Sequence, residues 1–164
     1  MNVNYLNPFI EASMNVVKDI AGINSELKKV CLRGNTFSGQ DVIIIIGVTG
    51  ALVGQVILTL AHESMDTLVK EMFAGNSDNL DNDLKKSAMA ELANMIVGNA
   101  TSLFYKKGMK VLITTPTILT GKEILISNKY PIINIPISFA EGRCSLDLNI
   151  SALENNNPEN FINE

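Results

Sequence analysis

The sequence has one histidine, His62, two cysteines, Cys31 and Cys144, and no tryptophan among its 164 residues. One histidine excludes a histidine-rich metal site, two cysteines exclude a four-cysteine zinc site, and any histidine-based triad must run through His62. The cysteines stand far apart in the chain and make no disulfide framework, so they read as buried free thiols. A basic surplus is missing too. Lysine and arginine number 13 against 17 acidic residues, for a net charge of −4, which argues against a nucleic-acid partner. The first residues, MNVNYLNPFIEASM, lack the basic stretch and apolar core of a secretory signal, so the cytoplasm is the expected compartment. What the chain does have is 19 asparagines and 19 isoleucines. It is poor in acid–base groups and rich in amides.

One stretch, Val42–Ala61 (VIIIIGVTGALVGQVILTLA), carries no charge over twenty residues and is long enough to span a bilayer. Its residue order argues otherwise. Val42–Val48 is a β-branched run, Thr49-Gly50 is turn chemistry, and Ala51–Leu60 is a second run. Basic anchors are absent from its flanks, where Asp41 and His62-Glu63 stand. Two strands and a tight turn are expected here, with no membrane span.

The rest alternates between helical and strand periodicity. Asn7-Pro8 is expected to open a first helix, with Phe9, Ser13, Val16, Val17 and Ile20 on one face and Gly22 at its end. Leu27–Phe37 reads as a strand broken near Arg33-Gly34-Asn35, and Glu63–Phe73 as a second helix closed by Gly75. After the polar link Asn76–Asn82 comes the longest helical pattern, Leu84–Lys107. Met109–Thr115, Lys122–Ser127, Pro131–Ala140 and Arg143–Ile150 follow as strands. The order implies an α+β fold of two similar halves, each a helix followed by antiparallel strands, with long helices packed on the sheet. Residues 1–150 form the expected domain, and Ser151–Glu164, which lacks a core pattern, is expected to be a loose tail.

On the long helix, Met89, Ala93 and Ala100 centre the apolar stripe. Nearly opposite lie Ser87, Glu91, Asn94, Gly98 and Ser102. Glu91 and Asn94 are about 4.5 Å apart along the axis, neighbours on the exposed face. Met95 projects beside them, as does Leu84 a little earlier. A small-residue surface bearing one acid and one amide suits docking against another protein; a solvated helix face is the plainer reading. Glu-x-x-Asn alone carries little weight, since 10 glutamates and 19 asparagines generate about one such pair by chance. Glu154 and Asn157 form a second copy, in the expected tail.

The wider context is more specific. LKKSAMAELANMIVGNATSLFYKKG resembles the signature helix of the CheC/CheX family of chemotaxis phosphatases, and GVTGALVGQVILTLAHESMDTLVKEMFAG resembles that family's first half. The downstream TPTILTGKE fits the single-motif CheX branch, and the likeness extends to about Ile150. The resemblance implies a phosphatase acting on the aspartyl phosphate of a CheY-type receiver. Asn94 would position the attacking water, Glu91 would pair with a receiver lysine, and Ser87, Met95 and Gly98 would line the docking face. It implies a homodimer, no cofactor bound by this chain, and Mg2+ held by the partner receiver. The alternative is a non-catalytic chemotaxis or flagellar-switch module, since relatives of this fold serve there. The first helix departs from the two-motif branch: Glu11 and Asn15 are four apart, with Met14 where asparagine would fall, so one site per chain is expected.

Other residues offer less. His62 lacks an accompanying serine or cysteine motif and reads as a surface or capping residue. Asp78, Asp81 and Asp83 lack the glycine and terminal glutamate of a calcium loop and suit a helix N-terminus instead. Gly47, Gly50 and Gly54 do not open a helix, so they form no phosphate cradle. Lys106-Lys107 suits a helix C-terminus and needs no nucleic acid.

Overall fold

The computed structural model describes residues 3–75 and 80–162. In chain order these form α1 (Val3–Ala21), β1 (Glu26–Leu27), β2 (Cys31–Arg33), β3 (Thr36–Ser38), β4 (Val42–Gly50), β5 (Leu52–Leu60), α2 (His62–Met72) and α3 (Asn82–Lys106). They continue with β6 (Val111–Ile113), β7 (Thr117–Thr120), β8 (Leu125–Ser127), β9 (Ile132–Phe139) and β10 (Cys144–Glu154). The uncharged stretch from Val42 is a β-hairpin. No helix among the described residues is long and apolar enough to cross a membrane.

The two halves repeat and interlock. Eight strands make one antiparallel sheet in the order β1-β9-β10-β5-β4-β6, with β2 also on β9 and β7 also on β4. The last strands of each half, β5 and β10, pair at the centre, Val56 opposite Ile150. The short leading strands of each half cross over: β1 and β2 pair with β9, while β6 and β7 pair with β4. The remaining strands, β3 and β8, pair in a ribbon with Phe37 opposite Ile126. The expected α+β arrangement of two similar halves, helices on an antiparallel sheet, is the observed one.

The period-two pattern assigns each side chain to a layer. Val42, Ile44, Ile46, Val56, Leu58, Leu60, Leu146, Leu148 and Ile150 join the large core beneath the helices. Ile43 and Ile57 point the other way and join Phe37, Ile126 and Ile132 beneath the ribbon. Four consecutive isoleucines therefore occur because β4 is covered on both faces. Close strand approach accounts for one glycine in each strand of the hairpin, Gly50 of β4 and Gly54 of β5. A Cβ at Gly54 would run into the Ser151 carbonyl, and one at Gly50, whose φ is +101°, into that of Lys110.

Three expectations need correction. The first helix begins at Val3, so Pro8 lies inside it. Proline's missing N–H costs one hydrogen bond in the second turn, and Tyr5 and Phe9 hold that end by packing on Phe104, with ring centroids 6.3 and 5.3 Å apart. The last strand continues to Glu154, four residues into the expected tail, because Ser151–Glu154 still pairs with β5. Beyond it, Phe161 bridges to Met109. Finally, β7 falls between the expected strands Met109–Thr115 and Lys122–Ser127. Its four residues between Pro116 and Gly121 are too few to show a period, and pairing with β4 defines them. Of the polar link, residues 76–79, including Asp78, lie outside the described residues.

Candidate functional site on the outer face of the third helix

The third helix is fixed at both ends and along one side. Asp81 caps it, its carboxylate accepting the Leu84 N–H at 2.7 Å, which satisfies one of the free donors of the first turn. Lys85 reaches across to Asp66 on α2 at 2.8 Å. Met89, Leu92, Ala93, Ile96, Val97, Ala100 and Phe104 are buried against α1 and the sheet. Gly108, with φ of +75°, ends the run. The opposite face is thus held rigidly toward solvent.

On that face Glu91 is exposed and Asn94 half-buried. Among the described residues neither side chain has a hydrogen-bond or ion-pair partner, so both keep their polar atoms available. Ser87 is exposed, but its hydroxyl donates to the Asp83 carbonyl at 2.9 Å. Met95 is half-buried and packs against the core, presenting only part of its side chain. Gly98 has no atom within 4 Å of where a Cβ would stand, so packing within the chain does not require glycine there. One turn on, Thr101 and Ser102 fold their hydroxyls back onto the Gly98 carbonyl at 2.7 and 3.3 Å. The face is consequently low and smooth around Asn94, with one acid beside one amide.

A residue passed over in the sequence lies on the same face. Tyr105 is 65% exposed. It is eleven positions after Asn94, which returns it to within about 20° of the same line. The helical register alone carried that signal, hidden because neighbouring Leu103 and Phe104 belong to the apolar stripe.

The matching acid and amide of α1 are arranged differently. Glu11 and Asn15 are exposed, Met14 is half-buried, and with Asn99, Ser102 and Lys106 of α3 the two polar residues line a groove between the helices.

The remaining candidates fall away from this face. His62 is exposed at the start of α2, after the cap residue Ala61, and its backbone N–H donates to the Asp41 carboxylate at 3.1 Å, so its imidazole caps nothing. The cysteines are free thiols, Cys31 partly exposed beside Asn134 and Cys144 buried against Thr67. Among the described residues no three His, Cys, Asp or Glu side chains are grouped so as to hold a metal ion.

Residues 42–138, which include Glu91 and Asn94, match the family described as chemotaxis phosphatase CheX. The chain belongs to the CheX family. It is 28% identical over 153 residues to the CheY-P phosphatase CheX of Thermotoga maritima, covering 93% of this chain and 99% of that protein. The crystal structure of CheX from Desulfovibrio desulfuricans superposes with a TM-score of 0.80 at 27% identity, covering 91% of this chain and 99% of that one. CheX in the CheX–CheY–BeF3–Mg2+ complex of Borrelia burgdorferi superposes with a TM-score of 0.75 at 28% identity, covering 92% and 98%.

Proposed function

We propose that this chain is a phosphatase that removes the aspartyl phosphate of a CheY-type receiver, with Asn94 and Glu91 as its working residues. The observation that carries the reading is a rigid, solvent-facing helix face on which an unpartnered carboxamide and an unpartnered carboxylate are one turn apart, in a chain of the CheX family. The Thermotoga relative's activity and the Borrelia complex's receiver point to the substrate.

The chemistry asks little of this chain. Phosphoryl transfer passes through a loose transition state in which positioning and charge stabilisation supply most of the catalysis. A carboxamide accepts and donates hydrogen bonds without titrating. Asn94 Oδ1 accepts an O–H of the attacking water and aims its lone pair along the line of the scissile bond. The oxygen–phosphorus bond to the aspartate breaks as the water oxygen bonds to phosphorus, releasing the carboxylate and inorganic phosphate, which carries both of the water's hydrogens and exchanges one with solvent. Glu91 pairs with a receiver lysine and fixes the register of docking. The receiver supplies both the phosphoaspartate and the Mg2+. The low profile at Gly98 lets the receiver approach, and Ser87 and Met95 flank the contact. The protein acts as a homodimer in the cytoplasm, with one site per chain.

The test is to follow phosphate loss from a phosphorylated CheY-type receiver with and without the protein. Faster decay in its presence is expected. Binding with equal decay contradicts the reading and favours a non-catalytic module.

A further inference from the structure

We infer that Tyr105, with Leu112 beside it, is an anchor for the receiver domain at the C-terminal end of the docking face, setting affinity but not chemistry; this rests on the reading above. Three observations carry it. Large exposed apolar side chains occur on the outer face of α3 at its two ends: Leu84, 44% exposed, and Tyr105, 65% exposed. Leu84 follows the line of Glu91, seven residues earlier, and Tyr105 the line of Asn94, eleven later, each within about 20°. They are separated by about 31 Å along the axis, with Asn94 at the midpoint. A stable interface covers roughly 800 Å² per partner, a patch roughly 30 Å across. A receiver centred on Asn94 therefore reaches both.

Neither the acid–amide pair nor the bare backbone at Gly98 provides much apolar area, so most of the attraction must come from elsewhere on the face. The Tyr105 end is the better equipped. The ring borders a cleft between α3 and β6 that Lys110 and Leu112 complete, and Leu112 is itself 53% exposed. Its phenol has no hydrogen-bond partner among the described residues. Tyrosine suits such a role, contributing a large rigid surface with few rotatable bonds and a polar tip.

The experiment titrates a fluorescently labelled CheY-type receiver, activated with Mg2+ and beryllofluoride as a stand-in for the phosphoryl group, against the protein. Tyr105→Ala should weaken binding about five-fold or more and Leu112→Ala or Leu84→Ala about two-fold. Tyr105→Phe should keep wild-type affinity, as should Leu125→Ala, an equally exposed side chain on the ribbon across the sheet. In the decay assay Tyr105→Ala should raise the receiver concentration needed for half-maximal rate and leave the maximal rate unchanged. Unchanged receiver affinity in Tyr105→Ala overturns the inference. So does a change in the protein's own sedimentation without a change in receiver affinity, which would assign this surface to a second copy of the chain. A wild type that binds the receiver but does not speed phosphate loss removes the phosphatase reading and leaves Tyr105 judged on affinity. A wild type that does not bind removes both.

Discussion

The helices α1 and α3 occupy the same place in two interlocked halves of one sheet, yet they space an acid and an amide differently on their outer faces. Each bears an exposed glutamate with asparagine nearby. In α3 the interval is three, and in α1 it is four. That one residue swings the amide by about 100° around the axis and 1.5 Å along it, from one flank of the acid to the other. Met14 then occupies the position that Asn94 holds relative to Glu91. The surroundings differ as well. Asn94 has bare backbone one turn on, at Gly98, whereas the fourth residue after Asn15 is the charged Asp19. On the proposed reading, the shared scaffold does not confer the activity; the register of two side chains on it does.

The shared part of the comparison is broken most severely at Phe104, whose ring packs edge-on against Phe9 at 5.3 Å and joins the two helices. Phe104→Ala should cost about 3–5 kcal/mol of stability, read from urea unfolding; a loss below 1 kcal/mol would show that the helices are not coupled there. The difference between the helices is sharpened by removing each acid. Glu91→Ala should raise the receiver concentration needed for half-maximal phosphate loss about ten-fold, since a lost interfacial charge pair costs at least 1.4 kcal/mol. Glu11→Ala should leave that concentration unchanged, and equal effects would assign both helices to docking. Gly98→Ala should stabilise the protein by about 0.5–1 kcal/mol in thermal unfolding, because the new methyl meets nothing and helix propensity improves. Receiver binding should nevertheless weaken; tighter binding would mean that the low profile at Gly98 is irrelevant.

The smallest effect concerns Tyr5, where α1 meets α3. Burial of the phenol, and then the Glu154 carboxylate, raise its pKa above the ordinary value of 10.0. The unfolded chain therefore ionises first as pH rises. Stability should be intact below pH 10 and fall as pH climbs from there through the higher folded value. Urea melts at pH 9 and 11 should show a shallower loss for Tyr5→Phe than for the wild type. Identical slopes would remove Tyr5 from the alkaline response.

Much of the fold is legible in the sequence. The isoleucine run and Gly50 marked the central hairpin, and the spacing of Met89, Ala93, Ile96 and Ala100 marked the buried side of α3. From that side the exposed acid and amide followed by geometry. The start of α1 was not legible, because proline ordinarily opens a helix, whereas here the contacts of Tyr5 and Phe9 with Phe104, far away in the chain, hold the turn before it. Strand β7 and the last four residues of β10 are defined by partners distant in sequence, β4 and β5, which local periodicity does not encode. Helical geometry puts Ser87 and Met95 on the outer face, but not the Ser87 hydroxyl turned onto the Asp83 carbonyl or the part of Met95 that packs on the core. Tyr105 was obscured by its apolar neighbours.

The most direct test of the central claim is the phosphate-loss rate of a phosphorylated CheY-type receiver at saturating protein, compared between the wild type and Asn94→Ala. Losing the amide proposed to aim the water should slow the accelerated reaction about 100-fold or more while the receiver still binds. Asn94→Ala with the wild-type rate would contradict the account.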